Sequence, residues 1–159
     1  MWFIVLFFAK MEIISQHLEK AKLLNEAIVS KELFDFIRSI ETEMVRLNRE
    51  QLNEKSKDIY GDAIGFYSKA TEVITKGNKK AGEPFDAKDT GGFLDGLYAR
   101  VQRDMVVFGS TDPKTSLILN SDDWLSQDLF GLTDEDLQNV IQDKIYPFLI
   151  DYYQKQLIQ

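Results

Sequence analysis

Few residues in this chain could carry out chemistry, and most of those are acidic. The sequence has no cysteine and a single histidine, His17, which excludes thiolate metal sites, cysteine nucleophiles and histidine pairs. One dense acidic group follows Thr133, where a threonine before three acids is typical of a helix N-terminus. The other is Asp122-Asp123, whose adjacent side chains point apart and match no calcium-loop spacing. We therefore predict no catalytic residue, no metal site and no cofactor, and a carboxylate-metal hydrolase using Asp122 and Asp123 is the least favoured hypothesis.

Two short segments look like known sites but lack essential parts. Residues 76–82 resemble a phosphate-binding loop, yet the Gly-Lys-Ser/Thr ending is missing and the segment does not join a strand to a helix. A solvated basic loop is the favoured interpretation, and contact with an acidic partner or with nucleic acid is the alternative. Asp89-Thr90-Gly91 has the letters of an aspartic protease motif, but that chemistry needs a second aspartate from another lobe or subunit. Because Lys88 and a loop precede the motif, an ordinary turn is favoured there.

Length and charge are typical of a soluble globular domain. The chain has 159 residues, of which 44% are hydrophobic and 28% charged, and its formal net charge is −7. That sign disfavours a duplex-binding surface, so we expect no specific nucleic-acid binding. Residues 2–9 form an apolar run that is shorter than the roughly 20 residues of a membrane span. We interpret residues 1–10 as an extension before a natural start at Met11, with a buried strand or a membrane signal as alternatives. No membrane association is expected.

The apolar periodicity predicts helices at both ends of a single domain over residues 11–159. A first helix is expected over 12–29 and a second from Ser30, which would be its N-cap. Residues 53–90 read as a long loop that contains a short helix from Ser68 to Thr75. The apolar stripe of the second helix favours packing on the domain over a coiled coil, and its members are Leu33, Ile37, Ile40, Met44 and Leu47.

The second half of the chain predicts a hairpin followed by helices. Residues 92–109 read as two antiparallel strands joined at Arg103-Asp104. A short helix and a connector are expected over 114–130, and a helix capped by Thr133 follows, kinked or split near Ile145 by Pro147. The fold class is thus α+β with a small antiparallel sheet. Side chains expected in the core of this half are Trp124, Leu125, Leu129, Phe130, Leu137, Ile141, Ile145, Leu149 and Tyr152.

Several segments together resemble the neck and tail-completion proteins of tailed bacteriophages. Residues 89–93, Asp-Thr-Gly-Gly-Phe, look like the Asp-Thr-Gly-x-Phe/Leu element that opens the β-region of those proteins. An expected glycine-rich turn before Tyr67 is represented by Gly61 and Gly65 alone. The other segments, of which the last two resemble small phage and prophage proteins of Bacteroidetes-type hosts, are 48–52, 67–71 through 82–86, 110–115 and 130–133.

The resemblance implies a structural virion protein that joins the head connector to the tail. Its expected partners are portal-side and tail-tube subunits and further copies of itself in a ring, and its expected location is the virion, assembled in the host bacterial cytoplasm. Independently of the resemblance, a long loop beside an edge hairpin offers unpaired backbone groups to a neighbouring subunit. A small acidic adaptor or inhibitor with one protein partner is the alternative. The candidate interface residues are Lys76, Lys79, Lys80, Asp89, Thr90, Gly91 and Phe93.

Overall fold

The computed structural model describes residues 15–22, 24–88, 91–120 and 127–158. Its residues group into two compact units: a helical unit of residues up to 37 together with 140–158, and a hairpin unit of 38–139. The α+β prediction is confirmed, because helices accompany one two-stranded antiparallel sheet. The single domain over 11–159 stays a prediction. Predictions that lie outside the described residues concern the 1–10 extension, Asp89, Thr90, Asp122, Asp123, Trp124 and Leu125.

The N-terminal part of the helical unit contains the two predicted helices, but the second one begins earlier than predicted, at Glu26. Helix α1 covers 15–22, and α2 covers Glu26–Ser39. The side-chain oxygen of Asn25 accepts a hydrogen bond from the Ile28 amide at 3.1 Å, which satisfies a free N–H of the first turn. The prediction of Ser30 as the N-cap is therefore wrong: asparagine caps as well as serine does, and Ser30 lies inside α2.

The helical unit is completed by α8, Tyr146–Ile158. The Phe36 ring of α2 stacks on Phe148 of α8, with centroids 4.2 Å apart. The predicted interruption near Ile145 is confirmed as a π-helical turn over Ile141–Ile145. Since Pro147 has no N–H to donate, a wider turn before it absorbs the break in the helical ladder. His17 is exposed, and its Nδ1 lies 2.6 Å from the carbonyl oxygen of Leu157.

The hairpin unit begins with α3, Glu41–Asn53, which packs on the first strand of the sheet. Strand β1 is Leu97–Gln102 and β2 is Met105–Ser110, with Leu97 paired to Ser110 and Gln102 to Met105. The predicted hairpin and its turn at Arg103-Asp104 are confirmed. The prediction that Phe93 belongs to the first strand is wrong, because Gly91 has φ +95° and starts a short helix α5, Gly92–Asp95. That left-handed residue turns the chain before the strand can begin.

The core of the hairpin unit lies between α3, the hairpin and the later turns. It is formed by Leu52, Ile64, Ala87, Leu94, Leu97 and Leu129, with Val45, Phe85, Phe93 and Phe130 packed at its margin. Helix α3 adds two polar side chains to this interior. Asn48 donates from Nδ2 to the carbonyl oxygens of Leu129 and Gly131, and Gln51 accepts from the Thr133 amide. The turn at 129–133 is thus held to α3 by hydrogen bonds as well as by apolar contact.

After β2 come α6, Thr115–Asn120, a 3-10 turn at Gln127–Leu129, and α7, Asp134–Val140. The predicted cap is confirmed: the Asp136 amide donates to Oγ1 of Thr133 at 3.2 Å, and the threonine hydroxyl donates back to the Asp136 carboxylate. The prediction that Leu137 is buried is wrong, since it is 45% exposed and Val140 is buried instead. The reciprocal cap turns Asp136 inward, and the inward face then continues four residues later at Val140.

Candidate interaction surface

The segment from Ile64 to Ala87, which we name the excursion, leaves the core and returns to it. Ile64 and Ala87 are both buried members of the core cluster. Between them, three backbone hydrogen bonds of 2.9 Å join the two arms. The Tyr67 amide donates to the Glu83 carbonyl, the Gly82 amide donates to the Tyr67 carbonyl, and the Phe85 amide donates to the Gly65 carbonyl. The predicted loop is therefore a hydrogen-bonded ribbon anchored at both ends.

The tip of the excursion is α4, Lys69–Ile74, which confirms the short helix expected there. The helix starts at Ser68, whose hydroxyl accepts from the Thr71 amide at 3.1 Å. It ends at Thr75, whose hydroxyl donates to the Thr71 carbonyl and accepts from the Lys79 amide. Side-chain caps at both ends compensate for a helix too short to be stable by itself.

A polar cluster of three side chains lies between the two arms of the excursion. The Tyr67 hydroxyl donates to Oδ1 of Asp86 at 2.5 Å, and Lys79 forms an ion pair with the other carboxylate oxygen. The ammonium group of Lys79 also lies 5.1 Å from the centre of the Tyr67 ring, a cation–π geometry. The cluster joins Lys79, near the end of the tip, to both arms and so restrains the tip.

The three groups shift one another's pKa. Partial burial opposes ionisation of Asp86, but hydrogen bonds from Lys79, Tyr67 and the Lys88 amide outweigh it and hold the pKa of the carboxyl below its ordinary 3.8. For Lys79, burial is likewise outweighed by the bonds to Asp86 and Tyr67, and its pKa lies above 10.5. Burial and the bond to Asp86 raise the pKa of Tyr67 above 10.0.

The stability of the excursion should therefore depend on pH at both extremes. The contribution of Asp86 to the stability of the excursion is complete above pH 3.8 and is lost as the pH falls through the lowered pKa of this carboxyl. The Lys79 and Tyr67 contributions are complete below about pH 10 and are lost as the pH rises through the raised pKa values. We expect the hydrogen-exchange protection factors of the Gly82 and Phe85 amides to be constant from about pH 5 to 9 and to fall outside that window.

Asp86→Asn should reduce those protection factors and remove their acid dependence, because the amide cannot form the ion pair. Asp104→Asn, in the exposed hairpin turn, is the matched control and should change neither. Equal behaviour of the two variants would show that the cluster does not restrain the excursion.

The excursion holds large apolar side chains in water. Val73 is 78% exposed, Ile74 is 79% exposed and Phe66 is 62% exposed. Single exposed apolar residues are ordinary, but these three lie on one restrained segment, and two of them are adjacent in α4. We name Phe66, Val73 and Ile74 the apolar tip residues.

The predicted interface residues divide into three groups in the structure. Lys76 and Lys80 are exposed on the excursion, close in sequence to the apolar tip residues. Lys79 is held inside the polar cluster, so its charge faces Asp86. Gly91 caps α5. Phe93 is half-buried at the core margin, where its ring centroid lies 5.9 Å from that of Phe130. Sequence reasoning thus found the excursion by its lysines but did not identify its apolar residues.

The signal for the missed residues was weak. Val73 and Ile74 are adjacent on a helix of six residues, so they form no stripe with a helical period. Phe66 and Tyr67 are adjacent in the ribbon, and only their pairing with the returning arm turns one outward and the other toward Asp86.

Comparisons with protein-family models, with curated proteins and with solved structures found no match to this chain. Within the described ranges, no cluster of three or more histidine, aspartate or glutamate side chains is arranged to bind a metal ion. None of the described helices has the length and apolar character needed to cross a membrane.

Proposed function

We propose that this chain is a structural assembly protein, a neck or tail-completion subunit of a tailed bacteriophage. The observation that carries the proposal is the presentation of the apolar tip residues on a hydrogen-bonded excursion rooted in the core. Because the excursion is already ordered, little conformational entropy is lost when a neighbour covers it. The phage assignment within this class is supported by the ordered motifs that resemble those virion proteins.

In this role the chain contributes surfaces to other subunits and performs no catalysis. The partners would be the head connector, the tail tube and further copies of the chain in a closed ring. Assembly would take place in the cytoplasm of the host bacterium, and the finished location would be the virion.

A small acidic adaptor is the second candidate, and the net charge of −7 favours it. An adaptor would form a discrete complex with one basic partner, and the affinity would fall steeply as salt screens the charges. A ring subunit that docks through apolar contact would lose much less affinity in salt.

The double variant Val73→Asp/Ile74→Asp tests the proposed surface. Both side chains are more than three-quarters exposed, so folding should be unchanged. Burying each of them at an interface is worth about 1.5–3 kcal/mol, and replacing both should therefore weaken docking about a hundredfold or more. Tyr60→Ser is the matched control, because Tyr60 is an equally exposed apolar side chain outside the excursion.

The measurement is complementation of a phage that lacks the gene, with the chain located in purified particles by electron microscopy. We expect wild type and Tyr60→Ser at the head–tail junction, and separated heads and tails with the double variant. A wild-type chain that is absent from purified particles would overturn the proposed function.

A further inference from the structure

Helix α8 carries apolar side chains on two opposite faces. On one face, the Phe148 ring stacks on Phe36 of α2. Ile150 follows Phe148 by two residues and so lies roughly 200° around the helix from it. Tyr146 and Tyr153 share the face of Ile150, because they are four residues before it and three residues after it. The three side chains, which we name the α8 stripe, are 56%, 58% and 39% exposed for Tyr146, Ile150 and Tyr153.

The helical unit buries few of its large apolar side chains. Among its described residues, Ile37 and Val140 are the only buried ones. Leu18 of α1 and Ile28 of α2 are more than two-fifths exposed, in addition to the α8 stripe. Isolated exposed apolar residues are ordinary, but a helix with apolar side chains on opposite faces is typical of one that is packed on both. We therefore expect the α8 stripe to be covered.

The chain itself supplies an apolar segment close to the α8 stripe. Nδ1 of His17 donates to the carbonyl oxygen of Leu157 at 2.6 Å, so the start of α1 lies at the C-terminal end of α8. Residues 2–9 are an unbroken apolar run, Trp-Phe-Ile-Val-Leu-Phe-Phe-Ala. Residues 10–14, which connect the run to α1, can span roughly 17 Å when extended. Since α8 from Tyr146 to Leu157 has about that length, the run can reach the whole stripe.

The short connection favours this segment over a separate molecule as the occupant. A group joined to its binding face by a short linker has an effective concentration on the order of millimolar. A separate molecule would lose translational and rotational freedom on binding. Charge gives no advantage to another partner, because Asp151 and Lys155, the charged residues beside the stripe on α8, pair with each other at 2.6 Å.

We propose that residues 2–9 pack on the α8 stripe and complete the core of the helical unit. The inference goes beyond the proposed function, since it concerns a contact within one chain and uses none of the apolar tip residues. It assigns the apolar run to the interior of the protein, in place of an upstream extension or a membrane signal.

The test is acrylamide quenching of Trp2 fluorescence in the full chain carrying Trp124→Phe, which leaves Trp2 as the only tryptophan. Trp2 should be protected from the quencher in the folded chain and accessible in urea. Ile150→Asp should make Trp2 accessible without urea, because a carboxylate on the stripe cannot be buried against apolar side chains without cost. Met105→Asp is the matched control: Met105 is 57% exposed on the hairpin unit, and its replacement should leave Trp2 protected.

A substitution in the run gives the reciprocal measurement. Leu6→Asp should lower the hydrogen-exchange protection of the α8 amides about tenfold or more, since it removes the burial of at least one large apolar side chain. Circular dichroism shows whether the variants are folded. If they are not, nuclear Overhauser contacts between the Ile150 methyl groups and the side chains of residues 2–9 in the unsubstituted chain decide.

Equal quenching of Trp2 in the folded chain and in urea would overturn the inference, as would the absence of those Overhauser contacts. So would protection of Trp2 that persists in folded Ile150→Asp or that rises with protein concentration, as expected for a second copy. Protection that requires added phosphatidylcholine vesicles would likewise overturn it in favour of a membrane signal. None of these results bears on the apolar tip residues, so the proposed function is judged separately by the location of the chain in particles.

Discussion

Leu52→Ala is expected to destabilise the hairpin unit by about 2–5 kcal/mol. The Leu52 side chain is fully buried at the end of α3 and is surrounded by the other members of the core cluster. Removing three carbons there loses burial of apolar surface and leaves a cavity that a close-packed interior closes only in part. Urea unfolding followed by circular dichroism measures the change in the free energy of unfolding.

Leu137→Ala is the matched control for this prediction. Leu137 is also a helical leucine, but it is 45% exposed on α7. Its replacement should cost less than about 1 kcal/mol, because little surface returns to water and alanine favours the helix. Similar losses for the two variants would contradict a core centred on Leu52.

The core substitution also bears on assembly. Ile64 and Ala87, the two ends of the excursion, lie in the same cluster as Leu52. Loosening that cluster should reduce hydrogen-exchange protection within the excursion at temperatures where the rest of the unit is still folded. Docking should then weaken although every apolar tip residue is still present, because the tip must be ordered on binding.

Asn48→Ala should cost about 2–4 kcal/mol, which is large for a polar residue. The Asn48 side chain is 1% exposed and donates at 3.0 Å to the Leu129 carbonyl and at 2.8 Å to the Gly131 carbonyl. Alanine leaves two buried carbonyl oxygens without these donors, and the free-energy cost of removing the oxygens from water is then not offset by a hydrogen bond. Chemical unfolding gives the loss of stability, and exchange at the Leu137 amide, which donates to Thr133, reports on the turn that Asn48 holds.

Asn139→Ala provides the comparison, since Asn139 is an exposed residue near the end of α7. The change there should lie within about 0.5 kcal/mol. If Asn48→Ala were equally mild, water would have replaced the two lost donors, and the attachment of the 129–133 turn to α3 would depend on apolar contacts alone.

Elements with strong local signals could be predicted from the sequence. The hairpin was readable because its strands alternate around a two-residue polar turn, and the residues from Thr133 to Asp136 specify a helix start by their own hydrogen bonds. The short helix at Ser68 has the same kind of local cap. The break between the first two helices was predicted at Ser30 and lies at Asn25, because both residues are good caps and only the folded chain distinguishes them.

The sequence by itself determined the α+β class, the hairpin and the existence of a segment rich in lysine and glycine between two ordered parts, since each depends on neighbours along the chain. Tertiary structure alone decided which side chains from distant parts of the chain contact one another. Asn48 and Gln51 are polar residues of types that ordinarily face water, and Lys79 reads as a surface charge, yet all three are held by residues distant in sequence or across a turn. The exposure of Val73 and Ile74 follows from the same cause, because burial depends on which surfaces remain after distant segments have packed, and local periodicity contains no information about that.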